Sequence, residues 1–230
     1  MRFSVWICII LMFALSTAVG GQDGVRQLGI PISLKAGISS FNVKNINPLL
    51  ESQGFPLVDG TVFMTEICFF MGQSGMQENA LAYIQLGVAK NGFSSQEANP
   101  GTNYSYFTWT TGLNIVLIKK EMSRFYGGTG FGWSDYTIDL RKSDAFPASF
   151  PEALVFATQN KRLTSNFNFF VPLTLGYDRV LSQNKSLVLG INGGYRLGIV
   201  SRTWEISNQA FDNAPSTSGS GFFGGISLIF

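Results

Sequence analysis

The chain has 230 residues, of which 45% are hydrophobic and 13% charged, and its net charge is +2. A typical soluble domain is about 25% charged, so this chain lacks the Lys and Glu that usually cover a solvated surface, and its near-neutral balance excludes a nucleic-acid partner. There is no His, which removes His-based general-base chemistry and His metal ligation together. No cofactor and no metal are expected.

The N-terminus reads "MRFSVWICIILMFALSTAVGGQ". Arg2 supplies one positive charge, an apolar stretch runs from Phe3 to Leu15, and small residues follow at Ala18, Gly20 and Gly21. That order is the pattern of a secretory signal peptide, and its apolar core is shorter than the roughly 20 residues a spanning helix needs. The expected division is a signal peptide over 1–21 and one barrel domain over 22–230. Cys8 falls in the leader, so Cys68 is left as a single thiol with no intrachain disulfide.

Eight strands are predicted in the remainder, at 28–40, 61–72, 80–92, 104–118, 124–139, 166–180, 186–203 and 220–230. The connections at 41–60, 93–103, 140–165 and 204–219 are long. Those between them are short: "QSGMQEN" at 73–79, "KKEMS" at 119–123 and "SQNKS" at 182–186. Short periplasmic turns alternating with long extracellular loops, on an even number of strands, describe an outer-membrane barrel with periplasmic termini. The expected fold is all-β: an eight-stranded antiparallel up-and-down transmembrane β-barrel.

The faces agree. In the sixth strand Phe167, Phe169, Val171, Leu173, Leu175 and Tyr177 alternate with Asn166, Asn168, Phe170, Pro172, Thr174, Gly176 and Asp178. The seventh sets Leu189, Ile191 and Leu197 against Gly190, Asn192, Gly194 and Arg196. The apolar faces carry no charge, and the partner faces are rich in Gly, Ser, Asn and Thr. That is lipid outside and a filled lumen inside. Two aromatic belts follow: Phe63, Phe107, Trp109, Trp133, Phe167, Trp204 and Phe222 at the outer rim, and Phe125, Tyr177 and Phe230 at the inner rim. The alternative is a soluble, secreted, lipocalin-like barrel around a small apolar ligand. It requires Phe169, Leu173, Leu189 and Leu197 to point inward.

The chain closes on "GFFGGISLIF", with Phe222, Ile226, Leu228 and Phe230 on one face. An unpaired apolar edge strand invites aggregation, so this strand is expected to pair with the first. The pattern resembles the signal by which the outer-membrane assembly machinery recognises its clients. Together with the leader, the first strand "LGIPISLKAGISSFN" and the eight-strand spacing, it makes the chain resemble the small outer-membrane β-barrel proteins of Bacteroidota-type bacteria, the "outer membrane protein beta-barrel domain" or PorT-like family. That resemblance implies a location in the bacterial outer membrane, with its lipid and its assembly machinery as partners. It implies no catalytic residue.

The predicted lumen charges are Lys35, Glu66, Arg124, Asp178 and Arg196, expected to pair across neighbouring strands because buried charges require compensation. "SRFYGGTGFGWSDY" at 123–136 lies inside a strand, so its glycines mark close packing and not a phosphate loop. The first long loop, "NVKNINPLLESQGFP", predicts a short helix with Asn47 as N-cap, Pro48 first and Gly54 as the stop, capping the barrel mouth. Apolar residues in the third loop, Phe146, Phe150, Leu154, Val155 and Phe156, need cover from the rim or a partner. Without His the usual Ser–His site cannot be built, and a carboxylate pair such as Asp135 with Asp139 is all that an enzyme could use. The functional expectation is a non-enzymatic structural or interaction protein acting through extracellular loops, or an accessory to export, and not an open pore, since eight strands leave little lumen.

Overall fold

A computed structural model describes residues 31–71, 79–90, 101–141, 161–182, 187–206, 209–210 and 214–230. The leader, most of the first short turn, most of the second loop and most of the third loop, with its five apolar residues, lie outside these.

The barrel strands are β1 (Ile32–Ser40), β2 (Thr61–Met71), β3 (Ala80–Lys90), β4 (Gly101–Lys120), β5 (Ser123–Arg141), β6 (Lys161–Val180), β7 (Val188–Gly198) and β12 (Gly221–Ile229). Each pairs antiparallel with the next, and β12 pairs with β1, placing Lys35 opposite Ser227 and Ala36 opposite Ile226. Phe230 continues the seam: its N–H donates to the Ile32 carbonyl at 2.9 Å, and the Ile32 N–H donates back at 3.3 Å. The ring therefore has no open edge. That is the condition for placing backbone in hydrocarbon, where an unsatisfied N–H or C=O costs several kcal/mol.

The pleat sorts the side chains. Leu34, Ile38, Leu113, Ile115, Leu117, Leu173, Leu175, Ile191, Leu197 and Ile226 stand exposed on the outside. Lys35, Glu66, Thr108, Thr110, Asn114, Asp178 and Ser227 are buried on the inside. The soluble alternative required Leu173 and Leu197 to be core residues, yet they are 48% and 46% exposed. No ordinary soluble monomer presents such a band to water. Rings of outward aromatics edge it. Trp133 lies 5.4 Å from both Phe107 and Phe167 towards the outer rim, and Phe125 sits opposite Tyr177 towards the inner rim.

Three predicted details are corrected. Asn166 does not face the lumen, because a β-bulge sets Asn166 and Phe167 against the single residue Asp135 and reverses the alternation above it. Phe167 takes φ 57°, and its N–H donates to Asp135 Oδ1 at 2.7 Å. Ser165 and Leu163 are buried in place of Asn166. The seventh strand does not run to residue 203. The bulge turns β6 away, the N–H groups of Ile199 and Val200 both reach the Phe169 carbonyl, and pairing stops there. Beyond it β8 (Ser201–Thr203) pairs with β11 (Ser216–Ser218), β9 (Glu205–Ile206) joins β6 at Leu163–Thr164, and β10 (Gln209–Ala210) pairs with β9. Trp204 is not in the outer belt but is buried inside the extended wall.

Strand length is uneven. A membrane-spanning strand needs about 9–11 residues, which matches β1, β2, β3, β7 and β12. β4 and β6 have 20 residues and β5 has 19. Their surplus, with β9 and β10, stands beyond the membrane as a sheet on one side of the mouth.

Placing a charge on the lipid face tests this orientation. Leu173→Arg is expected to cost about 2–4 kcal/mol and still fold in vesicles. Gly132→Leu puts its Cβ 2.7 Å from the Phe170 ring in the lumen and is expected to prevent closure. Urea unfolding in lipid vesicles reads both, and the reverse order of severity would contradict the assigned faces.

Candidate functional site: the lumen and its outer cap

The lumen is filled in three layers. At the inner end Val180, Val188 and Ile229 cluster with Phe70 against them. The middle is polar. Lys35 and Glu66 are register partners on β1 and β2, and Lys35 Nζ lies 2.7 Å from Glu66 Oε2. Arg124 and Asp178 are register partners on β5 and β6, joined at 2.8 Å through both Arg124 Nε and an outer guanidinium nitrogen. Arg196, on β7, reaches across the barrel. It lies 3.9 Å from Glu66 Oε1 and donates to Ser39 Oγ at 2.7 Å and the Tyr106 hydroxyl at 3.0 Å. Its guanidinium also lies 5.0 Å from the Phe223 ring and 5.4 Å from that of Phe170. All five charges predicted for the lumen are buried there.

Glycine makes room for these groups. The face of Glu66 and the methyl of Thr108 occupy the space beside Gly87, where a Cβ would meet Thr108 Cγ2 at 2.7 Å. The ring of Tyr126 lies over Gly176. The run at 123–136 lies within β5, as the sequence indicates.

The outer layer is apolar and aromatic. Phe41 stacks on Tyr104 at 4.1 Å and 5°, Tyr104 and Tyr106 adjoin Tyr136, and Trp204 lies 6.5 Å from Tyr136. The first loop folds down onto this column. Its helix α1 (Asn47–Ser52) buries Leu50, while Ile46 and Val58 enter from either side. Gly54, at φ 77°, ends the helix, and the Phe55 N–H turns back to the Leu50 carbonyl at 2.9 Å. Asn47 is not the N-cap: that position is Ile46, with no side-chain cap. The Asn47 amide instead bonds both backbone groups of Val58, each at 3.0 Å, and ties the ends of the loop together. Spacing alone does not separate a capping Asn from one that clamps a loop residue eleven positions on.

Outside the mouth the extension presents polar groups. Asp139 and Arg162 are register partners joined at 2.7 Å, and this hydrogen bond and charge hold Arg162 above its ordinary pKa. The pair is exposed and worth about 0.2–1 kcal/mol. Asp135 is engaged by the Phe167 N–H. The two rim carboxylates named as an enzymatic possibility thus each hold a structural partner. Asn168, under the bulge, donates to the carbonyls of Ser134 and Ser165 and accepts the Arg202 N–H. Nothing in the sequence alternation reveals this stitch. Phe222, Ile226, Leu228 and Phe230 face outward along β12. Among the described residues no group of three or more His, Cys, Asp or Glu is placed to hold a metal.

No family model matches the chain, and no curated protein matches it. Solved structures do. Neisserial surface protein A superposes with a TM-score of 0.50 at 11% identity, covering 87% of this chain and 97% of its own. OprG, an outer membrane protein from Pseudomonas aeruginosa, gives 0.45 at 11% identity over 87% and 96%. Ail, the attachment invasion locus protein of Yersinia pestis, gives 0.42 at 13% identity over 87% and 99%. At such identities the likeness to the first is one of fold. The chain is an eight-stranded transmembrane β-barrel of the outer-membrane type.

Glu66 holds two cations, so its loss is the severest single change expected in the lumen. Glu66→Gln leaves Lys35 and Arg196 without a counter-charge and should cost about 3–5 kcal/mol. Adding Lys35→Met to Glu66→Gln should recover part of that loss. Urea unfolding of the single and double variants checks both statements; equal stability of Glu66→Gln and the parent would contradict them.

Proposed function

We propose that this barrel is a non-catalytic interaction protein of the bacterial outer membrane, closed to solute flow, that presents its extended sheet and outer loops to a partner. The supporting observation is the combination of a filled lumen with strands about twice as long as the membrane requires. A pore needs neither an aromatic plug nor a loop helix folded into its mouth. A purely structural barrel does not need β4, β5 and β6 to rise beyond the bilayer, at roughly 3.3 Å per residue. The outward face of the extension carries Asn103, Thr137, Asp139 and Arg162, with Asn103, Asp139 and Arg162 as direct cross-strand neighbours, a mixed polar surface suited to a protein or glycan partner and poor for lipid. An accessory role in export is a special case of this reading, with the partner on the export machinery. The reading of the outward apolar face of β12 as an assembly signal belongs to the same proposal.

Conductance tests the closed barrel. Protein inserted into planar bilayers should give no stepwise current, and steady single-channel openings would overturn the proposal. Photo-crosslinking tests the surface. A probe at Thr137 should yield a discrete protein or glycan adduct on whole cells, and a probe at Leu173 should yield lipid. Lipid alone at both positions would remove the interaction role.

A further inference from the structure

The buried charges of the described residues do not balance. Among the described residues the buried ionisable cations are Lys35, Arg124 and Arg196, and the buried carboxylates are Glu66 and Asp178. Asp178 is taken by Arg124 at 2.8 Å. Glu66 is shared, with Lys35 at 2.7 Å and Arg196 at 3.9 Å. One positive charge is left over, between an apolar layer at each end. The Phe223 ring lies 5.0 Å from both Lys35 Nζ and the Arg196 guanidinium carbon. Its π face offsets part of that charge, but cation–π attraction is far weaker than the cost of an isolated buried ion.

The excess sits beside a cavity. Lys35, Arg196 and Phe223 line it, together with Ser33, Thr110 and Ser227. It offers about 40 Å³ to the centres of water-sized groups, room for roughly three of them. Glu66, Asp178 and Arg124 do not line it. The cavity wall therefore carries two cations, several hydroxyls and the side-chain amides of Gln85, Asn114 and Asn192, and neither carboxylate lines it.

We propose that this cavity binds one small monovalent anion of the size of chloride, held by Lys35 and Arg196 and by hydroxyl donors from β1, β4 and β12. The anion completes the charge balance of the lumen and stabilises the folded barrel. The site is too small for a phosphorylated metabolite, and a divalent anion would reverse the imbalance.

The test uses the full mature barrel refolded in detergent, in sodium chloride against sodium gluconate at constant ionic strength. Thermal unfolding is read by the heat-sensitive change in gel mobility. Chloride at a hundred times its Kd should raise the transition by roughly 5–10 °C, and bromide should act alike. Arg196→Gln, which leaves two cations against two carboxylates, should fold and lose the chloride dependence. Thr110→Val keeps the shape and removes one donor; it should move the chloride midpoint at least roughly threefold higher, the loss of part of one hydrogen bond. Equal transitions of the parent protein in both salts overturn the proposal, as does a folded Arg196→Gln that keeps the full shift. If Arg196→Gln does not fold, an unchanged midpoint in Thr110→Val overturns it.

Discussion

The pairing of β12 with β1 is the constraint on which the rest of the molecule depends. A sheet whose outer face is Leu, Ile and Phe can lie in hydrocarbon only if none of its strands has a free edge. The seam that removes the edge runs from Ser33 opposite Ile229 to Ser39 opposite Phe223, and Phe230 adds two further backbone bonds to Ile32. With the ring closed at eight strands, the lumen has a fixed and narrow width. Everything that faces inward must then fit, and anything charged must find its partner within reach.

The filling follows from that width. Tyr126, Tyr83 and Phe170 are large, and Gly176, Gly112 and Gly132 lie against them on neighbouring strands, so bulk on one strand is matched by its absence on the next. Charges are paired by register: Lys35 with Glu66 and Arg124 with Asp178 are direct cross-strand neighbours. Register slipped by one residue would carry all four charges into lipid. The ion pairs thus disfavour the wrong pairing more than they favour the right one, a use of buried charge that is compatible with its poor net contribution to stability. Arg196 is the exception. It crosses the barrel, touches the aromatic column, and joins the polar middle to the outer cap.

The barrel was legible in the sequence because a membrane imposes a binary choice at every residue. In β6 the choice repeats from Asn168 to Asp178, and the alternation of Leu173 and Leu175 with Thr174 and Gly176 needs no tertiary information. The lumen charges were legible for the same reason: a Lys or Glu on a strand of that kind has one side to go to. What escaped is what breaks the period. The bulge at Asn166–Phe167 depends on Asp135 of the neighbouring strand supplying an acceptor to the Phe167 N–H at 2.7 Å, and no local pattern in β6 contains that residue. The burial of Trp204 depends on where β7 loses its partner, which is set by the same bulge. The clamp from Asn47 to Val58 is a contact between two ends of a loop, and in the sequence it looks like a helix cap.

The central claim is that this chain folds as a closed barrel only against lipid or detergent. Its most direct measurement is the gel mobility of the purified chain from residue 22 onward, boiled against unboiled, after refolding with and without lipid vesicles. The account predicts a faster-migrating unboiled species that forms only with vesicles and is lost on boiling, because a closed barrel stays compact in detergent until heat opens it. A single folded form in plain buffer, indifferent to lipid, would contradict it and would turn the outward face of every strand into a core.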